Sequence, residues 1–227
     1  MAASKKQRIR ASAPAPARRS WNPIMFQNPQ GVLPGFTFGV LRVEYAGARN
    51  SASAFVKAKL HPVNPPREGG EWCPSAHRWE VLLPENASDD LMDPHRLITL
   101  YERTALPWRQ GLLTTVKLTF GENDRLHVAY EKGRAWLRSI VATGLPGLII
   151  QHCPHEAGLD YARHHLHVVI IPRKLGLAGF GAGWAAFTVH AHARISSSAP
   201  ASASTSSSVQ ISVTATTRPF ASASSSG

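Results

Sequence analysis

Apolar and polar residues alternate along Val40–Tyr45 (VLRVEY), which predicts a first strand. A helix is expected next, over Asn50–Leu60 (NSASAFVKAKL), with Asn50 or Ser51 as its N-cap. Pro62, Pro65 and Pro66 end it, and residues 62–77 read as a loop. Arg78–Leu83 (RWEVLL) returns to strand patterning. Asp93–Ala105 is helical, because Asp93 can cap it and Pro94 falls in the first turn, where a missing N–H does no harm. Gly111–Phe120 (GLLTTVKLTF) is rich in β-branched residues and predicts a strand. The strongest helical period covers Asn123–Thr143, where Leu126, Val128, Ala129, Ala135, Trp136, Ile140 and Val141 fall largely on one face. Gly144 and Pro146 then stop it. Two strands follow, Leu148–His152 (LIIQH) and His165–Ile171 (HLHVVII). The second is apolar on both faces beyond His167, as a central strand is. Strands interleaved with long helices predict an α+β fold with helices packed on a sheet.

The ends of the chain break these patterns. Residues 1–36 are a basic Ala/Pro/Arg-rich stretch too poor in apolar surface to offset its ordering entropy, so a disordered arm is expected. From residue 195 to 227 the sequence is Ser, Ala and Thr and reads as a low-complexity tail, though Val209–Thr214 alternates as an edge strand would. One domain, residues 37–194, remains between them. The net charge is +11, and the first 20 residues hold six of those charges (Lys5, Lys6, Arg8, Arg10, Arg18 and Arg19) with no acid. The body keeps the other five, a modest bias toward polyanions such as nucleic acid. An organelle transit peptide shares the composition of the N-terminal stretch, and a DNA-binding arm is the preferred reading. Two cysteines, Cys73 and Cys153, make no disulfide framework and suit a reducing compartment. There is no secretory h-region and no membrane-length apolar run, so a cytoplasmic protein with no membrane partner is expected.

Chemistry concentrates in five histidines between residues 152 and 167. His165 and His167 alternate on a strand and so share one face, with Leu166 on the other. A third imidazole from the neighbouring strand would complete a three-nitrogen metal face with open positions for phosphate or water. In HCPH, His155 is the preferred third ligand and His152 the second choice, with Cys153 turned toward the core. Imidazole suits Zn, Mn, Fe, Co or Ni, so the residues do not select the divalent ion. A paired set of solvated histidines is the competing reading. His190 and His192 (VHAHARI) alternate too, and are read as an ordinary strand.

The pair His165-Leu166-His167 entering an apolar strand resembles the signature of the HUH endonucleases. Residues 38–184 as a whole are similar to the MobA/MobL relaxases of mobilisable plasmids. The likeness includes the first strand, the small-residue helix after Gly47-Ala48-Arg49, the Ala105-Leu106-Pro107 stretch and the long helix before the histidine strand. The resemblance implies a central, mainly antiparallel sheet, and histidines holding a divalent ion (Mg, Mn or Zn) on the scissile phosphate of single-stranded DNA. It also implies a tyrosine nucleophile that stays linked to the 5′ end, and accessory mobilisation proteins as partners. The family's tyrosine lies late in the small-residue helix, where this chain reads Ala54–Leu60 (AFVKAKL) without one. Tyr45, which ends the first strand, is the nearest substitute; Tyr101, Tyr130 and Tyr161 are the alternatives. Arg173 and Lys174 at the strand exit are expected to contact phosphate. His165–Arg173 (HLHVVIIPR) also resembles the HIT-family nucleotide hydrolase motif, with Val169 where that motif has a third histidine. The glycine-rich GLAGFGAG (Gly176–Gly183) lacks phosphate-loop spacing and reads as a turn. A basic DNA-binding protein with structural histidines is the non-catalytic alternative.

Overall fold

The computed structural model describes residues 24–26, 35–45, 47–63, 72–105, 111–121, 124–157, 163–181, 184–194 and 208–218. Its strands and helices are, in order, β1 (Ile24–Phe26), β2 (Phe36–Arg42), β3 (Glu44–Tyr45), β4 (Ala48–Arg49), α1 (Ala52–Leu60), β5 (Arg78–Leu82), α2 (Pro94–Arg103), β6 (Gly111–Thr119), α3 (Leu126–Val141), β7 (Gly147–His152), β8 (His165–Ile170), β9 (Leu175–Gly176), β10 (Gly179–Phe180), β11 (Trp184–Arg194) and β12 (Ser208–Arg218). The fold is α+β. Its main sheet has six strands in the order β1-β2-β6-β8-β7-β5, every neighbouring pair antiparallel. β8 lies between β6 and β7, as its two-sided apolar sequence predicts.

Strand alternation sends side chains to two cores. On one face, Leu148, Ile150, Val169 and Ile171 pack under α1 and α2 with Phe55, Leu60, Leu97 and Tyr101. On the other, Ile149, Leu166, Val168 and Ile170 pack under α3 with Tyr130, Leu137 and Ile140. Leu166 and Val168 are 0% exposed, so β8 is covered on both faces. α3 comes close to the sheet because Gly133 faces it. A Cβ built at Gly133 would stand 2.5 Å from Leu166 Cδ1 and 3.3 Å from Ile149 Cδ1. Arg134, next along the helix, donates from two guanidinium nitrogens to both Glu80 carboxylate oxygens, a bidentate latch from α3 to β5.

α1 and α2 are held by their caps. Ser51 Oγ accepts from the Ala54 N–H and donates to Glu102, which also accepts from the Ser53 N–H. Asp93 accepts from the Arg96 N–H with Pro94 at the start of α2, as its sequence predicts. The first of the predicted strands is displaced toward the N-terminus. Phe36 and Phe38 are buried toward α3, and the ladder with β6 shifts register between Leu41 and Arg42. Glu44 and Tyr45 instead form a small hairpin with Ala48 and Arg49, turning at Gly47 with φ 76°. Outside residues 37–194, Ile24–Phe26 pairs with β2, and Ser208–Arg218 pairs with Trp184–Arg194.

Candidate metal centre

The polar end of the α1/α2 face of the sheet carries the histidines. β7 and β8 pair with His152 opposite His165 and Ile150 opposite His167. Opposite residues of an antiparallel pair share a face. His152, His165 and His167 therefore continue the apolar stripe of Leu148, Ile150 and Val169 out to the edge of the core. Their ring centroids are 4.8, 4.9 and 5.1 Å apart, and one donor atom from each lies within 4.8 Å of the other two.

Two of the rings are fixed by carbonyls. His152 Nε2 is 2.6 Å from the Lys59 carbonyl oxygen, and His165 Nδ1 is 2.9 Å from that of Arg163. A carbonyl only accepts, so these nitrogens carry the protons, leaving His152 Nδ1 and His165 Nε2 with lone pairs. An imidazole oriented by a backbone acceptor is the usual outer-shell arrangement of a metal-ligating histidine. Burial keeps all three neutral. Desolvation pushes His165 down to about 4, His152 below its ordinary value, and His167, which is 7% exposed, well below it. Neutral rings gathered this closely, with no carboxylate in the set, fit a borderline divalent ion.

Two lysines border the triad. Lys117 pairs with His167 across β6 and β8 and so shares the histidine face. Lys59 lies at the C-terminal end of α1, whose carbonyl holds His152; burial, then the nearby Lys117 charge, lowers its pKa. Their positive field opposes imidazolium formation and favours an anionic ligand on the ion. Neither lysine stands out in the sequence, because each belongs to an element read for its apolar residues.

Of the expected residues, the structure joins His165 and His167 to His152. His155 is exposed, on the 3-10 turn Pro154–Ala157 that follows β7. Tyr45 is 40% exposed and lies toward the other end of the sheet. His167 is level with Lys117 and Thr37, while β2 runs on to Arg42, a further ~17 Å of strand, before the hairpin that holds Tyr45. Tyr101 is buried and donates to the Leu112 carbonyl. Tyr130 is on the α3 face, 3.4 Å from Glu80, its phenol pushed up to about 12 by burial and that carboxylate. Tyr161 lies outside the described residues.

Arg173, expected on phosphate, is 3% exposed, and its guanidinium donates to the carbonyls of Thr104, Phe180 and Gly181. It clamps the β8 exit to the end of α2. Lys174 beside it is exposed. Val169, at the third position of the nucleotide hydrolase pattern, is a fully buried core residue.

Among the described residues, no helix is long and apolar enough to cross a membrane. No family model matches the chain, and no curated protein matches it. A solved structure described as the molecular basis of vancomycin resistance transfer in Staphylococcus aureus is similar, with a TM-score of 0.50 and 16% identity, over 69% of this chain and 75% of that one. At that identity the likeness is one of fold.

Proposed function

We propose that the chain is a metal-dependent protein that binds and nicks single-stranded DNA, of the plasmid mobilisation relaxase type. The observation that carries this reading is the triad His152, His165 and His167, with neutral rings and two lysines beside it. The fold likeness to a protein of resistance transfer supports it.

His152, His165 and His167 would hold the ion, which when bound supplies Lewis-acid polarisation of a phosphate oxygen. The protein's own residues do the rest. Lys59 and Lys117 draw the phosphodiester onto the histidine face and offset its charge. The Lys59 and Arg163 carbonyls fix the His152 and His165 rings and leave His152 Nδ1 and His165 Nε2 as their unprotonated nitrogens. The surrounding core excludes water from one side of the site. Lys174, exposed beside Gly144 past the β8 exit, is at the opposite end of β8 from the triad and takes no part in this contact. In the covalent reaction a tyrosine oxygen would bond to phosphorus as the 3′ sugar oxygen leaves, the phenol proton passing through solvent to that oxygen, and the tyrosine would remain joined to the 5′ phosphate.

The test measures metal content and single-strand cleavage together. Wild type should hold one ion in the triad and form a protein–DNA adduct whose linked peptide names the tyrosine. Combined His165→Ala and His167→Ala should abolish both. His152→Ala should release the triad ion, whereas His155→Ala should keep it. Metal binding without an adduct would remove nicking and leave a DNA-binding protein. A triad that takes no metal would sink the proposal.

A further inference from the structure

A second group of donors lies outside the triad. His77 immediately precedes β5, Cys153 immediately follows β7, and Glu156 is on the adjoining 3-10 turn. Antiparallel pairing sets Arg78 opposite Gln151, which brings the start of β5 beside the end of β7. One donor atom each from His77, Cys153 and Glu156 lies within 4.8 Å of the other two. His77 Nδ1 is 2.9 Å from the Glu156 carboxylate. Cys153 is 7% exposed and forms the inner corner of the triangle, whereas His77 and Glu156 are on its outer side.

An exposed His–Glu contact alone would need no metal. The buried sulfur at the same point makes the group different, because it supplies a soft donor that neither partner of an ion pair requires. Thiolate, imidazole and carboxylate together match zinc and its neighbours, and suit neither Mg nor Ca, which take oxygen donors.

We propose that His77, Cys153 and Glu156 form a second metal site, separate from the histidine triad, for a transition ion of the zinc class. On binding, the Cys153 thiol proton passes to solvent and the sulfur bonds to the ion. His77 and Glu156 exchange their mutual contact for bonds to the ion. Three protein ligands leave a tetrahedral ion one position on the solvent side. Such an ion would pin the loop before β5 to the exit of β7, one residue from His152.

The experiment titrates Co2+ into the full chain carrying His165→Ala and His167→Ala, so that the triad contributes nothing and the outcome is independent of DNA nicking. Sulfur-to-cobalt charge-transfer absorption should grow and saturate at one ion per chain. In the same background the band should disappear with Cys153→Ser and persist with Cys73→Ser, since Cys73 is exposed and outside the triangle. His77→Ala, at an exposed position, should also remove the band while the far-ultraviolet circular dichroism stays unchanged. Absence of the band in the folded background, or its loss with Cys73→Ser and survival with Cys153→Ser, would overturn the site.

Discussion

Gly133→Ala tests how tightly α3 is seated on the sheet. In an exposed helix interior the change is favourable by ~0.8–1.0 kcal/mol, because glycine has more backbone freedom to lose. Here the added Cβ would meet Leu166 Cδ1 at 2.5 Å and Ile149 Cδ1 at 3.3 Å. The Leu166 methyl is the end of a flexible side chain, but the residue is 0% exposed and packed among Tyr130, Leu137 and Val168. Overfilling such a site typically costs ~1–3 kcal/mol. The two effects leave a net loss of roughly 1 kcal/mol. With a urea slope near ~2 kcal/mol/M, the unfolding midpoint should fall by about 0.5 M. Urea unfolding followed by circular dichroism reads this directly. Leu166 lies between His165 and His167, so triad metal affinity should weaken as well. A variant more stable than wild type by the full helix-propensity gain, with metal affinity intact, would refute the claim that close packing explains this glycine.

Three further outcomes follow from the electrostatics. Lys117→Ala should weaken single-strand DNA binding and reduce the slope of log affinity against log salt by ~0.7, one phosphate contact, in a salt titration. For His165 the folded value, about 4, is below the ordinary 6.5, so its contribution to stability is present above 6.5 and lost as pH falls through about 4. The metal-free protein should therefore lose Tm across that window, and His165→Asn should lose less, in thermal melts. Glu80 is held below its ordinary 4.5, chiefly by hydrogen bonding from Arg134. Its contribution is present above 4.5 and disappears as pH falls through the lower folded value, so Glu80→Gln should flatten that acid limb in urea unfolding against pH.

The parts of the fold legible in the sequence are those with a single strong period. The β-branched run of β6, the apolar run of β8 and the Asp93-Pro94 start of α2 each specify their element locally. The face shared by His165 and His167 follows from the same two-residue alternation. The third histidine did not follow. Spacing in HCPH fits either imidazole, and the choice depends on where β7 stops: His152 is its last residue, while Pro154 sends His155 onto a 3-10 turn. Lys59 was hidden for a different reason. Its place beside the triad depends on the path of α1 across the sheet, a tertiary relation with no local signal. The start of β2 is not legible, because Phe36 and Phe38 follow a polar, proline-rich stretch that masks their alternation.

The bond from His152 to the Lys59 carbonyl spans 93 residues of sequence. Its two ends meet only where α1 has docked over the end of β7, a contact between segments far apart in the chain. Contacts of such long range slow folding, because loop closure precedes the contacts that reward it. An ion that binds the finished triad and not the unfolded chain would deepen the native basin through mass action alone. The rate at which metal is captured during refolding would then serve as a clock for the pairing of β7 with β8.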